Sequence, residues 1–224
     1  MRALQGIAFI TILLLPADAA AQPYPGSTAP HTGSVEVGGG VVWTGGYDAG
    51  SRAALESPNT TTGGAPLTLF SSSARVPAVA GAEARAGVYL GARVSVEAAF
   101  QFSRPQLLVK LDDDFENAAP QEAAGGLSSY VIAGSLLYHF GSGRVVPFVS
   151  GGGGYLRQLD EDNADVLTGN ELHAGGGVKV WFGTSENRLG LRFEGQASSR
   201  SKSAGFEQKR RILPVFGAGL VYLF

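Results

Sequence analysis

The sequence predicts an all-β chain: an eight-stranded antiparallel up-and-down transmembrane β-barrel with short periplasmic turns and long external loops. Three observations predict it. Apolar and polar residues alternate with period two through eight separate stretches, as in strands whose two faces meet different surroundings. The connections between these stretches alternate long and short, as they do when strands cross a membrane from a periplasmic N-terminus. The last stretch places Phe216, Ala218, Leu220, Tyr222 and Phe224 on one face. An edge strand this apolar invites aggregation in water. In a closed barrel it seals against the first strand and turns that face to lipid.

The N-terminus agrees with export. Arg2 is a basic n-region, Ile7 to Leu15 an apolar h-region, and Ala19-Ala20-Ala21 a small-residue cleavage site. The apolar run is too short for a membrane anchor, which takes about 20 residues. Residues 1–21 therefore read as a signal peptide, 22–32 as a flexible periplasmic lead-in, and 33–224 as the barrel domain. The chain has no cysteine, so lipid attachment through Cys, a disulfide scaffold and a thiolate metal site are all excluded. Cleavage removes one base (Arg2) and one acid (Asp18), so the net charge of −2 is unchanged and gives no reason to expect nucleic acid. No later apolar run suits a membrane helix. Near-zero mean hydropathy fits a barrel, in which lipid-facing and lumen-facing residues average out.

The first strand sets Val35, Val37, Val41 and Trp43 against Glu36, Gly38, Gly40 and Val42. Trp43 falls at the far interface, where aromatic belts form. Thr44 to Val76 reads as a long loop, within which Leu67, Leu69 and Phe70 are candidates to extend a strand beyond the membrane. The second strand, Ala78 to Leu90, opposes an alanine face to Glu83, Arg85 and Tyr89, and Leu90-Gly91-Ala92-Arg93 turns it. The third opposes Val94, Val96, Ala98, Phe100 and Phe102 to Ser95, Glu97 and Gln101. Arg104 to Gly126 reads as a second long loop. The fourth strand shows Tyr130, Ile132, Leu136, Tyr138 and Phe140 on its apolar face, and Gly141-Ser142-Gly143 turns it. The fifth, Val145 to Arg157, has no fixed register, because Gly151 to Gly154 erase its contrast. Asp160 to Asn170 is a third loop. The sixth strand opposes Leu172, Ala174, Val178, Val180 and Phe182 to Glu171, His173, Lys179 and Trp181. After a turn at Gly183 to Asn187, the seventh opposes Leu189, Leu191 and Phe193 to Arg192, Glu194, Gln196 and Ser198. Ser199 to Arg211 is a fourth loop, basic and polar, before the closing strand.

In signal peptide, strand rhythm and aromatic ending the chain resembles the OmpA-like small outer-membrane barrels, over its whole mature length. The resemblance implies the outer membrane of a diderm bacterium. It also implies that Phe216, Leu220, Tyr222 and Phe224 form an assembly signal read by the barrel-assembly machinery, with outer-membrane lipid and lipopolysaccharide as surroundings. A monomer is expected, with no periplasmic peptidoglycan-binding domain after Phe224.

The charged faces carry the most chemistry. Glu36, Glu83, Arg85, Glu97, Lys179, Arg192 and Glu194 all lie opposite the lipid stripe and are expected to point into the lumen. Eight strands leave an interior just wide enough for side chains, and buried charges must pair. A polar plug is the favoured reading, a narrow ion path the alternative. The odd-numbered face of the closing strand is uncharged, so the network belongs to strands one, two, three, six and seven.

The glycine runs lack the Gly-Lys-Ser/Thr ending of a phosphate loop and read as sites of curvature. The acidic runs Asp112, Asp113, Asp114, Glu116 and Asp160, Glu161, Asp162, Asp165 do not match a calcium loop. Arg200, Lys202, Lys209, Arg210 and Arg211 form a basic patch that is solubilising or touches lipid head groups. No cofactor or metal is expected. His139 and His173 are not followed by the His-x-Ser pattern of lipid A deacylases, which share this architecture, and there is no Asp-His pair of the outer-membrane protease type. His31 lies in the lead-in. No nucleophile–base pair is apparent, and no catalytic residue is assigned. A soluble lipocalin-like barrel would instead turn its apolar face inward. The sequence thus favours a structural or surface-interacting outer-membrane barrel over passive transport and over a lipid A-modifying enzyme.

Overall fold

The computed structural model describes residues 30–55, 68–112, 119–160, 166–182, 188–201 and 210–224. Among these residues the chain forms eleven strands: β1 (Val35–Thr44), β2 (Tyr47–Leu55), β3 (Thr68–Val76), β4 (Val79–Tyr89), β5 (Val94–Ser103), β6 (Gln106–Asp112), β7 (Gln121–His139), β8 (Val145–Asp160), β9 (Val166–Phe182), β10 (Arg188–Arg200) and β11 (Arg211–Leu223). Eight of them, β1, β4, β5, β7, β8, β9, β10 and β11, close into an antiparallel ring. The chain meets itself where β1 pairs with β11, from Glu36 opposite Leu223 to Thr44 opposite Val215. A closed ring leaves no unpaired edge in the wall.

Alternation decides which side chains face out. Val41, Ile132, Leu136, Tyr155, Leu172, Phe193 and Leu220 are exposed on the outside of the ring. Glu36, Glu97, Phe148, Lys179 and Arg192 are buried within it. A water-soluble protein does not carry an apolar girdle around its whole circumference. A barrel of strands about ten residues long, wrapped in hydrocarbon, requires one. The predicted register of seven strands matches this in-out assignment. The undecided fifth strand, β8, turns Val145, Val149 and Tyr155 outward and Val146, Phe148 and Leu156 inward.

Two of the expected long loops are corrected. Much of Thr44–Val76 and Arg104–Gly126 is strand: β2, β3, β6 and the first part of β7 form a sheet in the order β2-β3-β6-β7 that continues the wall past the barrel rim. The 19 residues of β7 join the two parts. They pair with β6 over Gln121–Gly126 and with β5 over Ser129–Tyr138. Leu69 and Phe70 fall in β3; Leu67 lies outside the described residues. The third loop is also shorter than expected, since β9 starts at Val166. These segments escape the period-two test because Ser71-Ser72-Ser73 and Ala123-Ala124-Gly125-Gly126 have no apolar contrast, and Leu107-Leu108-Val109 is apolar throughout.

The signal-peptide residues, the Gly183–Asn187 turn, Asp113, Asp114, Glu116, Glu161, Asp162, Asp165, Lys202 and Lys209 lie outside the described residues. Asp112 Oδ2 is 2.8 Å from Lys110 Nζ. At the turn end, Pro30 is buried, the Gly33 amide donates to Tyr89 O at 2.8 Å, and the Thr32 hydroxyl donates to Leu90 O at 3.2 Å.

Candidate functional site

The lumen is built by division of labour between two halves of the wall. On β1 and β11 the inward positions include Gly38, Gly40, Gly217 and Gly219, which carry no side chain. On β4, β5, β9 and β10 they carry Glu83, Arg85, Glu97, Lys179, Arg192 and Glu194. The long side chains fill the space that the glycines leave. A Cβ placed on Gly217 would sit 3.7 Å from Arg85 Nη2 and 3.8 Å from Glu83 Oε1.

All seven residues expected in the lumen come together there. Arg85 is the hub of one side: Nη1 is 2.8 Å from both Glu97 Oε1 and Glu194 Oε2, Nη2 is 2.7 Å from Glu83 Oε2, and Nε also bonds Glu83. Arg192 is the hub of the other, with Nη1 2.5 Å from Glu97 Oε2 and Nη2 2.7 Å from Glu194 Oε2. Glu97 thus bridges the two guanidinium groups with one oxygen each. Lys179, its side chain 1% exposed, donates to both Glu36 oxygens at 2.7 and 2.6 Å. Arg192 Nη1 lies 3.9 Å from Glu36 and joins that pair to the rest.

Uncharged groups complete the cluster. The Tyr89 hydroxyl donates to Glu36 at 3.0 Å, Gln101 Nε2 to Glu83 at 2.9 Å and the Ser150 hydroxyl to Glu194 at 3.1 Å. Phe148 offers its ring face to Arg192 at 4.6 Å and to Lys179 at 5.6 Å. Four carboxylates are thereby held against three cations, the compensation that buried charge demands.

Apolar layers close both ends of this network. Toward the short turns, Tyr89, Val146, Trp181, Val221 and Leu223 pack together. His139 stacks on Tyr89 at 5.1 Å, and its Nε2 is 3.0 Å from Ser95 Oγ. It is the lumen hydrogen-bonder expected from its position. Toward the loops lie Val131, Ala133 and Leu156, then Val76 and Leu127 packed with Tyr47, Leu107 and Leu167. The free space beside Glu83, Arg85, Arg192 and Glu194 is about 10 Å³. A single water needs about that much.

A second polar layer lies above the first, and the sequence reading missed it. Arg200 and Arg211, assigned to an exposed basic patch, are buried and point inward. Arg200 Nε donates to Glu171 Oε2 at 2.7 Å, and Arg211 Nε donates to Asp48 O at 3.0 Å while covering the Tyr47 ring. The correction has a simple cause. The ends of β10 and β11 run on beyond the expected strand ends, so alternation carries these arginines to the inner face.

The same layer holds a serine–histidine contact that the sequence does not bring together. Ser135 Oγ and His173 Nε2 are 2.8 Å apart, and His173 Nδ1 is 3.6 Å from Glu171 Oε1. His173 on β9 and Ser135 on β7 are separated by β8, where both register opposite Gly152. With no side chain there, the imidazole reaches across the intervening strand. Only the register could have revealed this pair, and the glycine run concealed the register.

No family model and no curated protein sequence matches the chain. Among solved structures, the outer membrane protein OprG from Pseudomonas aeruginosa is similar, with a TM-score of 0.56 at 13% sequence identity over 88% of this chain and 99% of that one. The likeness is one of fold: a small outer-membrane barrel. The attachment invasion locus protein Ail of Yersinia pestis has a TM-score of 0.44 at 11% identity, over 86% of this chain and 99% of its own.

In the barrel so defined, the residues of the expected assembly signal occupy the closing seam. Phe216, Leu220 and Phe224 point outward, Phe216 packs on Trp43 at 5.6 Å, and Tyr222 meets Phe224 edge-on at 4.6 Å. Phe224 is 69% exposed: its N–H is donated to Val35 O at 2.8 Å, and its ring meets the neighbouring Tyr222 on the same strand. Its ring therefore contributes little to the finished barrel. Phe224→Asp is expected to leave the urea midpoint of refolded protein nearly unchanged, within about 0.5 kcal/mol, while sharply lowering the amount recovered in the outer membrane of expressing cells. Normal recovery would remove the assembly role from this residue.

Proposed function

We propose that this protein is an integral barrel of a bacterial outer membrane, exported by the signal peptide in its first 21 residues, whose role is structural and surface-interacting. The observation that carries the reading is the filled lumen: a connected charge network between two apolar layers inside an outwardly apolar wall. An ion crossing it would have to separate Arg85 and Arg192 from carboxylates that are buried with them, at a cost of several kcal/mol. The continued sheet of β2, β3, β6 and β7 supports a surface role, since it presents a built platform beyond the rim. The finer likeness to OmpA-like barrels rests on the strand rhythm and the aromatic ending.

Planar bilayers test the choice between platform and channel. Protein inserted from detergent is expected to give no conductance steps. Reproducible steps that change size in Glu83→Gln or Arg192→Gln would replace this reading with passive transport through the lumen.

One observation favours a second reading, ester hydrolysis: the Ser135, His173 and Glu171 arrangement has the order of a nucleophile, its base and an orienting acid. Against it, Glu171 is held by Arg200, and Ser135 faces a packed lumen. Fluorophosphonate labelling that is lost in Ser135→Ala would establish the hydrolytic reading; unlabelled protein leaves these three as part of the plug.

A further inference from the structure

The outer face of the barrel is not uniform. On β5, β7 and β8 three outward residues register in a row, Phe102 opposite Tyr130 opposite Arg157. One row nearer the turn end, Phe100, Ile132 and Tyr155 register likewise. The next row is Ala98, Gly134 and Gly153. A Cβ added at Gly134 would meet nothing within 4 Å. Large rings above and small residues below make a furrow, open at Gly134, and its upper part is a hollow of about 390 Å³ lined by Phe100, Tyr130, Ile132, Tyr155, Arg157 and Leu159. Tyr130 tilts against Phe102 at 5.0 Å and Phe100 at 6.4 Å, which fixes the ring wall.

Charge distinguishes this furrow from a larger apolar hollow on the outer face. The larger hollow, about 620 Å³ around Trp43, Phe193 and Phe216, has no cation in its lining. Here Arg157 is exposed at the top of the furrow, and among the described residues it makes no ion pair. A second guanidinium, Arg104, lies 6.0 Å from the Phe102 ring on the same patch. Arg157 thus stands just above the row of Phe100, Ile132 and Tyr155, at the loop end of a lipid-facing wall. An apolar slot capped by a guanidinium group complements a lipid whose acyl chains hang below a phosphate, because Arg binds phosphate through paired N–H donors.

We propose that this furrow binds one phosphorylated glycolipid of the outer leaflet, with a phosphate on Arg157 and an acyl chain along Phe100, Ile132 and Tyr155. The inference rests on the outer-membrane reading above, which sets the loop end in the leaflet that carries such lipids. It adds a defined site, on one side of the barrel, to a surface otherwise solvated by bulk lipid.

The test uses the full barrel in detergent with diphosphoryl lipid A, its dephosphorylated form, or phosphatidylglycerol, and bound lipid counted by native mass spectrometry. One diphosphoryl lipid A per barrel is expected to survive, with retention about tenfold weaker in Arg157→Ala, the loss of one charge-assisted phosphate contact. Ile132→Trp, which fills the slot and keeps the charge, should also weaken retention. Arg93→Ala, at the turn end, should not. Equal retention by wild type and Arg157→Ala, or phosphatidylglycerol held as well as lipid A, would overturn the proposal. Flotation of the same preparations with vesicles separates the two readings. Barrels that fail to float fail the membrane reading, and barrels that float but hold lipid A without Arg157 fail only this one.

Discussion

Replacing Lys179 with Met is expected to destabilise the barrel by about 3–5 kcal/mol, the usual effect of removing one partner from a buried ion pair. The ammonium group donates to both oxygens of Glu36 at 2.7 and 2.6 Å, and its side chain is among the most buried of the described residues. Methionine matches its length and leaves little cavity, so the lost pairing dominates over lost packing. What remains around Glu36 is the Tyr89 hydroxyl at 3.0 Å and Arg192 at 3.9 Å. One hydrogen bond and a distant cation do not compensate a carboxylate in this setting.

The double variant Glu36→Gln/Lys179→Met removes the orphaned charge and should recover most of the loss. Arg75→Met breaks the exposed pair with Glu122, 3.6 Å apart and 69% and 53% exposed, and should cost less than about 1 kcal/mol. Urea titration of refolded barrels, followed by tryptophan fluorescence, gives all three values. If the Lys179 variant matched the Arg75 variant, the lumen would contain enough water to solvate Glu36, and the plug would not be the barrier to ions described above.

The barrel was legible wherever the two faces of a strand differ sharply. Val94 to Ser103 alternates so cleanly that its register and both its environments follow from sequence. The seven lumen charges follow too, because a Glu or Arg amid alternating apolar residues can face only one way in such a wall. Legibility failed where contrast fails. Ser71-Ser72-Ser73 belongs to β3 yet carries no periodic signal, so the sheet beyond the rim looked like loop. The second polar layer was hidden for a related reason. Glu171 and Arg200 sit where strands outlast their apolar stripe, and Ser135 meets His173 only through a register that four consecutive glycines leave unmarked. The lipid furrow needs the rows across three strands, which no single strand displays.

That glycine run supplies the sharpest test of the observed register. Gly152→Val is expected to prevent stable closure of the β7–β8 wall, while its neighbour Gly151→Ala is tolerated. A Cβ on Gly152 would lie 2.8 Å from Ser135 Cα and closer still to the Gly134 carbonyl, both backbone atoms that cannot swing aside. The nearest atom to a Cβ on Gly151 is His173 O, at 3.9 Å, an ordinary contact. Overpacking at Gly152 should cost about 1–3 kcal/mol. The branched side chain would also occupy the path by which His173 reaches Ser135, and breaking that part-buried hydrogen bond adds about 1 kcal/mol more. Gly151→Ala faces outward, removes no contact and should change stability by less than about 0.5 kcal/mol. Heat-modifiable migration in detergent gels reports the folded fraction, and urea midpoints give the size of the effect. Equal midpoints for the two variants would mean that Gly152 does not face the lumen. The juxtaposition of Ser135, His173 and Glu171 would then be lost, and so would the row that sets Arg157 beside Tyr130, since both depend on the same pairing of β8 with β7.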